Sequence, residues 1–293
     1  SLRWGWAEER ERIRAEILEE RYRFAPLRRI TLQGGEEIDL WCARDALVLK
    51  CLALVLGRRL PLSRRCCHLK GHGGAKGAVR SVLAALAQSR FVLKTDVRRY
   101  YDSIDHQLLL ERLQRLIGDR FVLNLLTQDL MRTSERGGIF RDYRRGIPLG
   151  AALSPVIGAF FLTELDRAFE RRGLFYLRFM DDVVVLAPSR WKLRRAVAAL
   201  NGVLDALGLE KHPDKTFIGR VERGFDFLGY CLSPAGLGIS RPTVLAFLER
   251  AIRLYEQERE APSLGASRLG SYVHRWLSWA EAGVPPLGRE AGR

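Results

Sequence analysis

The sequence predicts an α+β fold, a small antiparallel sheet with helices arranged as a split βαβ unit. Three observations predict it. Residues 90–96, RFVLKTD, are a short apolar run that ends on an acid. Residues 174–187, LFYLRFMDDVVVLA, are two apolar runs around Asp181-Asp182. Elsewhere apolar residues recur at helical spacing, as in Ile104, Leu108, Leu109, Leu113 and Leu116. From residue 90 the order is strand, helix, helix, hairpin, helix, strand.

Taken in order, residues 4–22 read as a charged helix with a thin apolar stripe of Ile13, Ile17 and Leu18. Segment 27–41 alternates around Gly34-Gly35, which predicts a hairpin turning at Gln33 to Glu37. A helix follows over about 44–56. Residues 60–76 are a basic, glycine-rich loop, and another helix covers about 78–87. After the strand at 90–96, helices span about 103–117 and 119–132, and Asp102 or Ser103 can cap the first. Gly137-Gly138 opens a turn. Gly146-Ile-Pro-Leu-Gly150 is a loop feeding a long helix over about 155–171, with Pro155 in the tolerated first turn. The hairpin at 174–187 carries carboxylates at its tip. An arginine-rich helix covers about 190–207, short strands 215–218 and 225–231, and two helices about 242–260 and 267–282.

Composition narrows the function. The 293 residues carry 49 Lys+Arg against 34 Asp+Glu, a net charge of +15, and 47% are hydrophobic. That excludes intrinsic disorder and points to a polyanionic partner. Of the basic residues 42 are Arg and seven Lys, and arginine forks grip phosphate bidentately. No run of 18 apolar residues exists, so no membrane span is expected. The start, SLRWGWAEERERIR, has no apolar signal core. Five cysteines, with Cys66-Cys67-His68 the only cluster, read as reduced thiols in a cytoplasm.

Asp181-Asp182 stands inside an apolar hairpin, where two adjacent carboxylates repel and burial raises the cost. A divalent cation removes the conflict, and Asp96, ending the run 91–95, is the natural third ligand. Two such ions clamp an in-line phosphoryl displacement. Asp102 and Asp105 read as helix-capping residues, and Asp129, Asp142 and Asp205 as surface. His106 reads as a capping-region residue, Arg194-Arg195 as a solvated face, and Trp276 and Trp279 as helix packing. A basic chain with this cluster on a split βαβ sheet points to a nucleic-acid polymerase.

The motifs then resemble those of bacterial reverse transcriptases of the group II intron, retron and diversity-generating retroelement kind, from about Arg44 to Trp279. Phe91-Val-Leu-Lys-Thr-Asp-Val-Arg-Arg-Tyr-Tyr-Asp-Ser-Ile-Asp-His106 resembles the first palm motif. Gly146-Ile-Pro-Leu-Gly-Ala-Ala-Leu-Ser-Pro155 resembles the second, and Arg178-Phe-Met-Asp-Asp182 the catalytic hairpin. His212-Pro-Asp-Lys-Thr216 resembles the fourth motif, and Phe227-Leu-Gly-Tyr230 the primer-grip hairpin.

The resemblance implies a right-hand polymerase fold. Residues 1–89 are then helical fingers, 90–237 a palm with fingers-side helices at about 119–145, and 238–293 a short thumb with no endonuclease or DNA-binding extension. It implies that Asp96, Asp181 and Asp182 hold two Mg2+, with Mn2+ as a substitute, and that Val97 lends a carbonyl. Lys215 falls among the catalytic residues. Tyr101 falls at the sugar gate, Leu149 and Gly150 beside the nucleotide, and Phe227, Leu228 and Gly229 at the primer grip. The implied partners are an RNA template, a DNA or RNA primer and dNTPs, with room for a protein or structured-RNA partner and none for a membrane. The setting implied is the bacterial cytoplasm, in retromobility, diversification or antiviral defence.

Three positions depart from the family pattern. Phe179 replaces the usual Tyr of the hairpin. Leu149 replaces the usual Gln, as in diversity-generating retroelements, although Ser154-Pro155 keeps the ordinary pattern. Acids occupy the fingers turn at Gln33 to Glu37 where bases grip triphosphate, so Arg44, Lys70 and Arg80 are the candidates instead. The basic loop 70–80 reads equally as a phosphate contact or a plain surface loop. Alternative functions are a template-independent or RNA-producing polymerase with the same site, and a non-enzymatic RNA-binding scaffold. Tyr101 argues against ribonucleotides, and the intact carboxylates argue against a scaffold.

Overall fold

A computed structural model describes residues 5–32, 35, 37–260 and 267–282. The elements are, in chain order, α1 (Trp6–Leu18), β1 (Leu27–Thr31), β2 (Glu37–Leu40), α2 (Ala43–Arg59), α3 (Gly74–Leu86), β3 (Phe91–Thr95), α4 (Tyr100–Ser103), α5 (His106–Gln114), α6 (Arg120–Leu130), β4 (Thr133–Arg136) and β5 (Ile139–Asp142). They continue with α7 (Ser154–Phe161), α8 (Thr163–Glu170), β6 (Phe175–Phe179), β7 (Asp182–Ala187), α9 (Arg190–Ala206), β8 (Phe217–Arg220), β9 (Phe225–Phe227), β10 (Tyr230–Ser233), β11 (Gly236–Ile239), α10 (Arg241–Glu260) and α11 (Arg268–Glu281). They fall into two compact units, one of 1–63, 97–168 and 199–211, the other of 64–96, 169–198 and 212–293.

The second unit holds the expected antiparallel sheet, in the order β6-β7-β3-β8. β3 is central and apolar because it is covered on both faces, with Val92 and Leu93 at 0% exposure. Helix α3 packs on this sheet and on β10 through Ala78, Val79 and Val82, all fully buried. A three-stranded sheet, β11-β10-β9, and the helices α10 and α11 complete the unit. Trp276 stacks on Phe247 and Trp279 on Tyr230, with centroids 4.2 and 4.9 Å apart, so both tryptophans pack.

The first unit is helical around a second sheet, β2-β1-β4-β5. β1 and β2 form the expected antiparallel hairpin, tied by Arg29 Nε to Asp39 Oδ1 at 2.8 Å. The turn between them, with Gln33, Gly34 and Glu36, lies outside the described residues. Gly137-Gly138 turns β4 into β5, and β4 then pairs parallel to β1. Short polar strands of this kind lack an apolar run to announce them.

Several expectations need correction. The glycine-rich loop is shorter than 60–76, because α3 begins at Gly74 and takes Lys76 with it. The helix expected over 103–117 breaks at Ile104-Asp105, and Asp105, not Asp102 or Ser103, caps the new start by accepting Leu108 N–H at 2.9 Å. Asp102 pairs with Arg99 instead. The helix expected over 155–171 breaks at Leu162, where the Thr163 hydroxyl donates to Phe160 O at 2.8 Å and diverts the ladder. Asp129 is buried at 2% exposure, not on the surface, and burial pushes its carboxyl up to about 7.

Candidate active site

Strand register builds the site in the second unit. β3 and β7 pair with Thr95 opposite Val183, so the next residues, Asp96 and Asp182, flank one another. β3 and β8 pair with Lys94 opposite Phe217, and the same register carries Lys215 to Asp96. Lys215 Nζ donates to Asp96 Oδ2 at 2.8 Å, and a Thr95–Thr216 hydroxyl bond of 2.7 Å closes the strands beneath them. Lys94 sits two residues before Asp96, hence on the same strand face. Its Nζ lies 3.2 Å from Asp182 Oδ1.

Asp181 is presented by the hairpin turn. Phe179 pairs with Asp182, so Met180 and Asp181 are the whole turn. Met180 has φ 57°, a left-handed value that costs a non-glycine residue about 1–2 kcal/mol. Burial, then the Asp96 charge, push the Asp181 carboxyl up to about 6. Burial also raises Asp182, against the pull of Lys94. The hydrogen bond to Asp96 raises Lys215.

Among the described residues no three His, Cys, Asp or Glu side chains already converge as an ion cage. The two lysines stand on the carboxylates instead. The donor set still fits a hard divalent cation: it is all oxygen, and three carboxylates face two ammoniums. Asp182 Oδ1 is buried without a hydrogen-bond partner, since Lys94 reaches ion-pair distance but not hydrogen-bond geometry.

A groove of about 700 Å³ is lined by Lys94, Asp96, Asp182 and Lys215 together with Phe227, Leu228 and Gly229. The expected primer-grip residues therefore share a cavity with the carboxylates. Tyr230 pairs with Phe227, which leaves Leu228 and Gly229 as a two-residue turn with φ 49° and 86°. A side chain at Gly229 would press on Trp279 at 3.0 Å.

In the first unit, Tyr100 is core, with its hydroxyl donating to Gly158 O at 2.5 Å. Tyr101 is half-buried, and Gly158 leaves room for its ring: a Cβ there would come 3.1 Å from Tyr101 Cε1. Gly146 is obligatory, because its φ is 82° and a Cβ would lie 2.8 Å from Tyr101 O. Ile147 N–H donates to that same oxygen at 2.8 Å, and His106 Nε2–H and Arg132 Nη1 donate to Gly146 O. The 146–150 loop is thus pinned to the Tyr101 segment. Leu149 is 73% exposed, so it is not a packing residue. Leu149 and Gly150 line a cavity of about 520 Å³ with Arg29, Arg132 and Arg141. Val97 is buried and bridges Lys211.

The three expected triphosphate cations have different surroundings. Arg44 is paired with Glu9 and Glu16, 3.1 and 2.7 Å away, and lies over Tyr22. Lys70 and Arg80 are exposed. Lys76 of the same stretch is wedged against Tyr230 and Trp279, its Nζ 4.6 and 4.3 Å from their ring centroids. Sequence reading missed Lys94, although its i−2 spacing from Asp96 was there to see. It also missed Arg29, Arg132 and Arg141, which the 133–142 hairpin and its neighbours gather from afar. The five cysteines form no disulfide, and no described helix is long and apolar enough to cross a membrane.

Comparison with known proteins agrees with this geometry. The family described as Reverse transcriptase (RNA-dependent DNA polymerase) matches residues 57–232. Protein YkfC of Escherichia coli K12 is 24% identical over 269 residues, covering 75% of this chain and 70% of YkfC. The Retron Ec86 reverse transcriptase of Escherichia coli is 25% identical over 224 residues, covering 69% of this chain and 65% of that protein. Among solved structures, telomerase from Candida albicans shares the fold with a TM-score of 0.55 at 13% identity, over 80% of this chain and 45% of that one. With the α+β polymerase fold, the carboxylates in register and a family match over more than half its length, the chain belongs to the reverse transcriptase family of RNA-directed DNA polymerases.

Proposed function

We propose that this chain copies an RNA template by extending a primer 3′-OH with dNTPs, using Asp96, Asp181 and Asp182 to hold two divalent cations, Mg2+ or in substitution Mn2+. The observation that carries it is the register that sets Asp96 beside Asp182, with Asp181 in the adjoining turn. Such cations supply acidification of the attacking hydroxyl and neutralisation of the leaving pyrophosphate. The chain's own residues do the rest. Lys215 pairs with Asp96 from one side and Lys94 with Asp182 from the other, so each carboxylate's charge is partly offset before a cation arrives. The Phe227–Gly229 turn, in the same groove, steadies the primer end. Lys215 lines that groove and protonates the leaving pyrophosphate.

Tyr101 serves as the gate against ribonucleotides, and Leu149 and Gly150 with the arginines around them contact the incoming nucleotide. Lys70 and Arg80 are left to contact phosphate, and Val97 to lend its carbonyl. Residues 1–89 act as fingers, 90–237 as palm and 238–293 as thumb. A protein or structured-RNA partner accompanies the chain, in the bacterial cytoplasm. The net charge of +15 supports the template reading, because phosphate contacts dominate nucleic-acid affinity.

Primer extension on a defined RNA tests the proposal. Asp96→Ala and Asp181→Ala are expected to abolish addition while RNA affinity stays within about threefold, since affinity rests on arginine–phosphate contacts. Extension by either variant would remove the mechanism.

A further inference from the structure

The turn that presents Asp181 is held from both sides. Met180 N–H donates to His68 Nδ1 at 2.9 Å, and Met180 O accepts from Arg178 Nη1 at 2.8 Å. Arg178 is fully buried in β6. His68 belongs to a segment sewn along that strand. Arg178 N–H donates to Arg65 O at 2.9 Å, Cys67 N–H donates to Arg178 O at 2.7 Å, and Cys66 bridges Arg178 in parallel. Cys66 and Cys67 are buried, His72 Nδ1 lies 3.1 Å from Cys66 O, and the His68 ring meets Phe179 edge-on at 5.9 Å.

Chemistry fixes the tautomer. A backbone N–H only donates, so His68 Nδ1 offers its lone pair and Nε2 carries the proton. The Cys66 thiol, 3.4 Å from the same nitrogen, is then a second donor. The segment braces a turn whose first residue, Met180, has the positive φ normally given to glycine.

We propose that His68 is a positioning residue of the polymerase site: its Nδ1 lone pair, with the Arg178 guanidinium opposite, holds Met180 in its left-handed conformation and so sets where Asp181 and Asp182 stand. The inference rests on reading those carboxylates as the polymerase centre, but the clamp itself is testable without activity.

Two variants separate the acceptor from the ring. His68→Phe keeps the edge contact with Phe179 and removes the acceptor. His68→Asn places Oδ1 where Nδ1 stood. Where phenylalanine overfills the site, His68→Leu serves the same comparison. Hydrogen exchange at the Met180 amide in the intact chain is expected to quicken about tenfold or more in His68→Phe and to stay near the parent in His68→Asn. Single-nucleotide addition is expected to show kcat lowered about tenfold or more in His68→Phe, as misplaced reacting groups do. The dNTP KM and primer–template affinity should hold within about twofold, and His68→Asn should recover most of the rate. Unchanged Met180 exchange in a folded His68→Phe overturns the clamp, as does equal loss of rate in both variants. A parent that extends no primer removes the polymerase reading, while the exchange comparison still decides the clamp.

Discussion

Lys215 Nζ stands 2.8 Å from Asp96 Oδ2, at the end of the short 3-10 turn that leads into β8, the strand paired with β3. The ammonium occupies the charge position that a cation at Asp96 would share. Lys94 does the same for Asp182 from the Asp96 strand itself. The lysines thereby offset part of the cluster's charge, and on the proposed reading each would compete with metal for a carboxylate.

That competition is measurable. Lys215 is 53% exposed, so solvent screens its ion pair. Its removal should be worth only about 0.2–1 kcal/mol. Lys215→Met is therefore expected to tighten Mg2+ binding by up to about fivefold in calorimetric titration without nucleotide. The same variant should slow nucleotide addition. Weaker Mg2+ binding would mean that Lys215 organises the carboxylates rather than competing for them.

The Asp181 carboxyl, raised from 3.8 to about 6 by burial and then by Asp96, makes metal-free stability depend on pH. The folded protein keeps this proton where the unfolded chain has lost it. Stability therefore falls as pH rises from about 4 to about 6, and stays lower above. Asparagine has no such proton. In chelator, Asp181→Asn should melt a few degrees above the parent at about pH 7.5, a gain on the order of 1–2 kcal/mol, and no higher at about pH 4. Identical melting at the higher pH would show that the carboxyl carries no burial penalty.

Tyr101 and Tyr100 separate by environment. Tyr100 is buried with its hydroxyl on Gly158 O, a structural role. Tyr101→Ala is expected to admit ribonucleotides if its ring is, as proposed, what excludes a 2′-OH. Competition between dNTP and NTP in single-nucleotide addition decides it. Unaltered discrimination would move the gate to another residue.

Leu149 offers the nucleotide no donor or acceptor, and its 73% exposure leaves it free to meet a ligand. Shape alone discriminates by only ~1–3 kcal/mol, whereas an unmet polar group penalises a wrong partner more. Leu149→Gln is expected to lower the misincorporation rate. Sequencing cDNA copied by both proteins from one RNA measures it, and equal error spectra from two active enzymes would place fidelity elsewhere.

The β6-β7-β3-β8 sheet was legible because its strands are short apolar runs ended by charges. Phe91–Thr95 and the two arms around Met180-Asp181 fall where the pattern predicts. Asp96, Asp181 and Asp182 could be chosen because ionisable residues beside such runs need a partner. Helix breaks were not legible: Asp105 caps and Thr163 diverts within stretches whose apolar spacing continues.

The sequence by itself determined the fold class and the family and singled out Asp96, Asp181 and Asp182 as candidates, because each follows from local pattern or from motifs that act over a few residues. Only the tertiary structure decided what stands next to them. Arg44 became an ion-pair partner of α1. Lys76 became a packing residue, and Asp129 went inside. His68 reached Met180 across 112 residues of chain. Such contacts depend on strand register and on which segment lies along an unpaired edge, and those are set by the summed burial of the whole unit rather than by any stretch of sequence.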